Sequence, residues 1–435
     1  MLKLIRYSLL LSLLACLTAS AQETLKLEDA IKTGLEKNYT VLLSKNDYEI
    51  SKAQNNMGAA GMSPTVTLNG NLNLANVNSH QEFSTGTVQD RNGANSNNTG
   101  ASINASWTVF DGMKMFAIKK RLNQTEQLGE LQLKQQMENT VYAIILAYYD
   151  IVRIQDLIKA SRQNLNIYEE RKKIASLKLD IGSESKVDYL LTQSDENKAK
   201  SDLMQLELQL INAKAVLNNL MVRPVDTDFK PADTIAVNYN PGYDELKKSV
   251  IEKNSSLLIT RQNELIAQQS LKEARSANLP FVQLNGAYVF SRNQSQAGVV
   301  FLSRQTGLNY GATASWLLFN GNKNNKLIKE RQIRVLSQKY LTEQTKQNID
   351  ATVYINYQSF LTNKKILDLE KQNLDDSREV LMVSLERYKL GKAALLETME
   401  TQKNLEDAQT RYINALYNMK KAETELLKAN NGLVK

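Results

Sequence analysis

Two periodicities divide the chain. In four places apolar and polar residues alternate with period two. After Pro64, Val66, Leu68, Leu72 and Leu74 share one face, and Thr65, Thr67, Asn69, Asn71 and Asn73 share the other. Before Asp111, Ile103, Ala105, Trp107 and Val109 alternate with Ser102, Asn104, Ser106 and Thr108. Val282, Leu284, Tyr288 and Phe290 repeat the pattern after Pro280, as do Tyr310, Ala312, Ala314, Trp316 and Leu318 further on. The alternation predicts two strand pairs, at about 64–110 and about 280–319, in strands of about ten residues with one apolar face. That length spans a bilayer when the strand is tilted, with lipid on one side and water on the other. Polar links, rich in Asn, Ser, Gly and Thr over 76–100 and shorter over 291–306, are expected as loops. The same alternation also fits a hairpin of a soluble sandwich.

Elsewhere apolar residues recur at spacings of three and four, as in Val141, Ile144, Ile145 and Tyr148, which is the seam of packed helices. Met113 to about Leu179 and Asn322 to about Leu390 contain no proline and almost no glycine. Each predicts a helix of about 65–70 residues, roughly 100 Å long. Each turns at a glycine, Gly182 or Gly391, and returns through a second helix of about 35–40 residues, giving helical hairpins over about 112–222 and 321–430. Single helices at about 27–60 and 243–277 bring the expected total to six.

The two patterns occur in the same order twice. Both tryptophans lie in one repeated phrase, "ASWTVFDG" from Ala105 and "ASWLLFNG" from Ala314, 209 residues apart. Gly182 and Gly391, Asp188 and Glu397, and Gln193 and Gln402 keep that spacing. Upstream, "EKNYTVLL" and "EKNSSLLI", Pro64 and Pro280, and the two "LNG" triplets stand 216 apart, so one seven-residue difference between Gly70 and Ala105 separates the halves. The organisation expected is a first repeat over 22–222, a link over 223–241 holding Pro224, Pro231 and Pro241, and a second repeat over 242–435, making one domain overall. Each phrase marks where a strand ends and a helix begins. Trp107 and Phe110, and Trp316 and Phe319, are expected as anchors at a membrane–water interface, where aromatic rings partition. Asp111-Gly112 and Asn320-Gly321 then break the strand.

The first 21 residues read as a signal peptide: Lys3 and Arg6, an apolar run, then Ala19-Ser20-Ala21. Cys16, the only cysteine, lies within it; "LLAC" also loosely matches a lipoprotein cleavage box, which would leave an acylated Cys16 at the terminus. The formal charge of +8 falls to 8 − 2 = +6 once Lys3 and Arg6 are removed. Lys and Arg are interspersed with Asp and Glu rather than gathered in a stripe, which argues against a nucleic-acid partner. His80 is the only histidine and no G-x-x-x-x-G-K loop is present. Neither a zinc site nor a Ser–His–Asp triad can therefore be assembled, and no enzyme, metal or cofactor is expected.

Four strands cannot close a barrel, for which about eight is the smallest number. An open sheet edge cannot lie in lipid, so strands must be shared between protomers. The ordered pieces resemble the TolC-type outer-membrane efflux factors. They are "LKLEDAIKTGLEKNY", the two prolines before the strands, the two W-x-x-F-[DN]-G phrases, and the run from Arg387 through "RYKLGKAALLETMETQKNLEDAQTRYINALYNMKKAETELLKANNG".

The resemblance implies a mainly α fold with a small β part: two repeats of long helical hairpins and four strands per chain. A homotrimer would form a 12-stranded outer-membrane barrel continued by a periplasmic helical tunnel. It further implies a passive exit duct for efflux or type I secretion, partnered by a periplasmic adaptor and an inner-membrane transporter of the RND or ABC type. By the same resemblance Gly182 and Gly391 are the adaptor-docking hairpin tips. Asp188, Glu397 and Glu400 line the periplasmic aperture, and Tyr388 bonds across the closed tip. The family's arginine two residues beyond the second glycine is Ala393 here, with Lys392 beside it. The alternative is a secreted or lipid-anchored coiled-coil adhesin or adaptor with the strands as a soluble head.

Overall fold

A computed structural model describes residues 23–237, 239, 241–297 and 299–434. The signal-peptide reading of 1–21 and both readings of Cys16 lie outside the described residues. The chain is mainly helical with a small β part. In order it forms β1 (Glu23–Leu25), α1 (Leu27–Lys37), α2 (Tyr39–Gln54), β2 (Thr65–Glu82), β3 (Val88–Phe110), α3 (Lys114–Asp180) and α4 (Lys186–Leu220). There follow β4 (Phe229–Pro231), α5 (Tyr243–Lys253), α6 (Ser255–Ser276), β5 (Phe281–Ser295), β6 (Leu302–Ser315), α7 (Lys323–Lys389) and α8 (Leu395–Ala429).

Two expected single helices are each broken in two, at Asn38 and Asn254. Both asparagines take extended backbone, with ψ of 124° and 120°. The Asn38 side chain donates to the Leu220 carbonyl at 2.9 Å and accepts from the Thr40 N–H at 2.9 Å. Asn254 does the same with Ala429 at 3.0 Å and Ser256 at 3.1 Å. One amide thus satisfies an orphan carbonyl of a neighbouring helix and caps the helix that follows, which stabilises the break.

The strands are longer than the expected ten residues, at 18, 23, 15 and 14 for β2, β3, β5 and β6. The stretch 76–100, expected as a loop, is mostly ladder, and only 83–87 turns. Polar side chains reinforce this pairing: the Asn76 amide donates to the Gly93 carbonyl at 2.9 Å and to Asn95 Oδ1 at 2.8 Å. Backbone pairing does not depend on apolar side chains, so asparagine-rich segments extend the hairpin despite weak strand propensity. Over 291–306, Ser291 to Gln294 pair with Leu302 to Gln305 in the ladder. At its far end β6 stops at Ser315, so Trp316 and Leu318 lie beyond the strand.

The four strands form one antiparallel sheet, in the order β2-β3-β5-β6, with Thr65 opposite Ser106, Trp107 opposite Leu284 and Phe281 opposite Ser315. Strands β2 and β6 are edges. The apolar face is not buried: Leu68 is 77 % exposed and Tyr310 86 %. A sandwich would have covered these side chains with a second sheet.

The chain divides into two compact units that cut across the sequence repeats. One takes the chain up to Asn46, Gln132–Leu257 and the chain from Thr345 on; the other takes Asp47–Leu131 and Leu258–Gln344. Each unit therefore draws matching segments from both repeats. Helices α3 and α7, of 67 residues each, are longer than any one core can serve. The first unit is packed around Val141, Ile144, Tyr148, Ile151, Leu217 and Phe229, and includes the small parallel pair of β1 and β4, which the sequence did not announce. The Tyr148 hydroxyl joins these pieces, donating to the Leu25 carbonyl or Asp233, each 2.8 Å away, and accepting from the Ala232 N–H at 3.1 Å.

The repeat is visible in backbone conformation. Positive φ recurs 209 residues apart at Gly112 and Gly321, Met113 and Asn322, Gly182 and Gly391, and Val222 and Asn431. At Val222 (φ 55°) a β-branched residue occupies a conformation that asparagine fills at Asn431 (φ 50°). Replacing Val222 by Asn is expected to stabilise the chain by about 1 kcal/mol. A thermal midpoint that falls instead would show that Val222 contributes packing that outweighs the strain.

Candidate functional site: the paired hairpin tips

The helical hairpins reverse at Gly182 and Gly391, with φ of 73° and 70°. At each, the glycine N–H bonds the carbonyl three residues back (Leu179 and Tyr388, both 3.0 Å). The next N–H bonds the carbonyl five back (Lys178 and Arg387, both 2.8 Å). This double closure needs a left-handed residue, which glycine adopts without strain. The return helices start differently. Ser185 and Asp188 form a reciprocal capping box, with the Asp188 N–H bonding Ser185 Oγ at 3.1 Å and the Ser185 hydroxyl donating to Asp188 at 2.6 Å. At α8 the Ala394 side chain supplies no cap, and Glu397 instead pairs with Arg387 at 2.9 Å. Glu400, one turn on, is exposed and has no hydrogen-bond or ion-pair partner among the described residues. Of the three expected aperture acids, one caps a helix, one is paired and one is free.

The two tips are tied to one another through Tyr388. Its side chain is buried, and the hydroxyl lies 2.8 Å from both oxygens of Glu184. Burial and the Glu184 carboxylate push the phenol well above its ordinary range, so it donates at every physiological pH. Lys178 closes the contact from α3: its ammonium donates to the Tyr388 carbonyl at 2.8 Å and stands 3.7 Å from the ring centroid. Glu184 and Lys178 were not singled out from sequence, because one lies in a turn and the other, between Leu177 and Leu179, reads as one more charge on a long helix.

Behind the tips, three polar layers interrupt the apolar seam between α3 and α8. Arg171, 1 % exposed, donates to the Gln402 side-chain oxygen at 2.8 Å, pairs with Asp195 of α4 and lies over the Tyr168 ring at 4.9 Å. Tyr168 bonds Glu406 in the second layer, and Asn164 donates to Gln409 at 2.7 Å in the third. Glu406 is raised above the usual carboxylate range by burial, against the opposing pull of Tyr168 and Arg171. Asn164, Tyr168, Arg171, Ala175 and Lys178 are spaced four, three, four and three apart. That is a helix seam with polar residues at every position but Ala175, and it is the signal by which Arg171 could have been found.

The tryptophans stand at the strand exits, the other candidate region. The Trp107 indole N–H donates to the Met62 carbonyl at 2.9 Å, and Trp316 donates to Asn278 at 3.1 Å. Met62 and Asn278 are themselves 216 apart, so the same tie is made twice. Each binds the strand exit to the chain leading into the sheet. Trp107, Trp316 and Phe319 are exposed and Phe110 is half-buried. Among the described residues no helix is long and apolar enough to cross a membrane.

The outer membrane efflux protein family model matches residues 32–221 and again 246–432, once in each half. The chain belongs to this family. It is similar to the outer membrane protein TolC of Escherichia coli K12, with 20 % identity over 378 residues, covering 80 % of this chain and 74 % of TolC. Among solved structures it resembles the outer-membrane channel OprN (TM-score 0.79, 14 % identity, 93 % of this chain and 90 % of OprN). It also resembles the CmeC channel of Campylobacter jejuni (TM-score 0.81, 13 % identity, 93 % and 85 %). At these identities the structural likeness establishes the fold, and it is that of the TolC-like outer-membrane channels. Family membership places the chain in the outer membrane.

Proposed function

We propose that this chain forms, as a homotrimer, the exit duct of a tripartite efflux or type I secretion assembly. The observation that carries the reading is the sheet. It has open edges at β2 and β6 and an exposed apolar face, a combination that neither water nor lipid tolerates in a lone chain. Three copies joined β6 to β2 close a 12-stranded barrel, bury both edges and turn the apolar face to lipid. The Trp107–Phe110 and Trp316–Phe319 clusters then lie at the interface where the strands leave the bilayer.

The long hairpins continue the conduit into the periplasm. Their Gly182 and Gly391 tips meet a periplasmic adaptor that links the duct to an inner-membrane transporter, of the RND or ABC type, which supplies the energy. The duct itself performs no chemistry. Tyr388, Glu184 and Lys178 hold the tip closed. Glu400, and Glu397 when released from Arg387, present carboxylates to the aperture, where threefold symmetry repeats them as a ring that favours cations. Asp188 serves as a cap in this scheme.

Single-channel conductance of the purified protein in a planar bilayer under a salt gradient tests the reading. Discrete steps with a cation-selective reversal potential are expected. Glu400→Gln should reduce the selectivity more than Asp188→Asn does. Steps without selectivity would remove the acid ring while keeping the duct. No insertion by well-folded protein would remove the duct.

A further inference from the structure

The start of α3 meets the end of α6 in a groove remote in sequence from the hairpin tips. Gly112 makes this approach possible. A Cβ there would lie 2.6 Å from the Ser276 carbonyl oxygen and 2.7 Å from Leu279 Cβ, and its φ is +70°. Beside the contact is a groove of about 390 Å³ whose apolar floor includes Met113, Phe116 and Leu279. All three are exposed. Lys120, Lys272 and Arg275 stand along it, also exposed. None of the three cationic side chains has a hydrogen bond or ion pair among the described residues. The nearest acids in sequence are engaged elsewhere: Glu126 accepts from the Asn55 side-chain amide at 2.5 Å, Asp111 accepts from the Met115 N–H at 2.9 Å, and Glu273 pairs with Arg121 at 2.5 Å.

The fold plan does not require these residues. Positions equivalent to Met113, Phe116 and Lys120 in the second half are Asn322, Asn325 and Lys329. Those equivalent to Lys272, Arg275 and Leu279 in the first half are Asn56, Ala59 and Ser63. The backbone repeats, down to positive φ at Met113 and Asn322. The apolar floor and two of the three cations do not. Uncompensated charge above exposed apolar surface fits a ligand that is both anionic and oily. The groove also opens within a few residues of Trp107 and Phe110, where β3 ends.

We propose that the groove binds one anionic phospholipid of the surrounding membrane. Its phosphate lies among Lys120, Lys272 and Arg275, and an acyl chain lies over Met113, Phe116 and Leu279. A phosphodiester takes charge-assisted hydrogen bonds from these side chains, while the exposed Phe116 and Met113 pass from water into hydrocarbon. The inference rests on the reading of the strand ends as the membrane interface.

The test uses the purified full-length protein reconstituted into phosphatidylcholine vesicles with and without phosphatidylglycerol, with native mass spectrometry of retained lipid after extraction. Preferential retention of phosphatidylglycerol is expected. Lys120→Gln, Lys272→Gln and Arg275→Gln together should weaken the preference by about tenfold or more. Phe116→Asn, the residue found at the equivalent position of the other half, should weaken retention with all cations present. Equal retention of both lipids, or a preference untouched by either variant, would overturn the proposal while leaving the membrane reading intact. Displacement of the lipid by glycerol phosphate at equal concentration would also overturn it, since the groove would then read phosphate alone. Failure of wild-type protein to enter vesicles would remove the membrane reading and this proposal together.

Discussion

Replacing Arg171 by Ala is expected to destabilise the hairpin pair by about 3–5 kcal/mol, among the largest effects of any single substitution in this chain. The guanidinium is fully buried and touches three helices: Tyr168 on its own helix, Asp195 on α4 and Gln402 on α8. Truncation leaves a large cavity and strands the buried Gln402 oxygen. It also removes the cation that opposes the burial of Glu406. Arg171→Met with Gln402→Leu should recover part of the loss, because two apolar side chains fill the space and no Gln402 oxygen is left stranded, while Asp195, 30 % exposed, turns to water. Hydrogen exchange of the α3 and α8 amides around these layers reads the effect locally.

The pH dependence has a definite sign. Glu406 is raised in the folded chain, so its contribution favours the fold below its unfolded pKa and is lost as pH rises through the folded value. Protection near Glu406 should therefore increase on mild acidification, and more so in Arg171→Ala. Glu406→Gln should abolish that increase. A loss under about 1 kcal/mol in Arg171→Ala would mean that water reaches the layer and that the arginine is dispensable.

What could be read from sequence, and what could not, follows from the range of each interaction. The helical hairpins were legible because their signals are local: no proline, a seam at three and four, and glycines where the helix must reverse. The strand faces were legible from alternation, but not the strand lengths. Asn76 and Asn95 look like loop residues singly and become ladder residues only when paired. The helix breaks were hidden because Asn38 and Asn254 act through Leu220 and Ala429, about 180 residues away. Among site residues, Tyr388 was found by resemblance alone. Its partner Glu184 lies 204 positions earlier, and no pattern within one hairpin connects them. Ser185 and Asp188 stand at capping-box spacing, a purely local signal, and the box forms. Arg171 was missed because a charge in a seam looks like a surface residue until the opposite helix is known.

Tyr388→Phe is expected to raise the frequency of open events in planar bilayers by about ten- to a hundredfold without altering the conductance of each open event. The substitution removes one hydroxyl and keeps the ring, its burial and its contact with Lys178. What is lost is a hydrogen bond to a carboxylate, worth about 1.5–3 kcal/mol. If that bond exists only while the two tips are together, the whole amount moves the closed–open equilibrium, and each 1.4 kcal/mol is about a factor of ten. Glu184→Ala should match Tyr388→Phe, and the double variant should do little more than either, since both remove the same bond. Glu184→Gln keeps an acceptor within reach and should fall between wild type and Tyr388→Phe. Lys178→Met tests the second tie independently, because its contacts are to the Tyr388 carbonyl and ring rather than to the hydroxyl. Additive effects of Tyr388→Phe and Lys178→Met would make the lock a pair of separate clasps. An unchanged opening frequency in Tyr388→Phe would mean that the tip stays closed through contacts between protomers, and that the bond inside one chain only shapes the surface those contacts use.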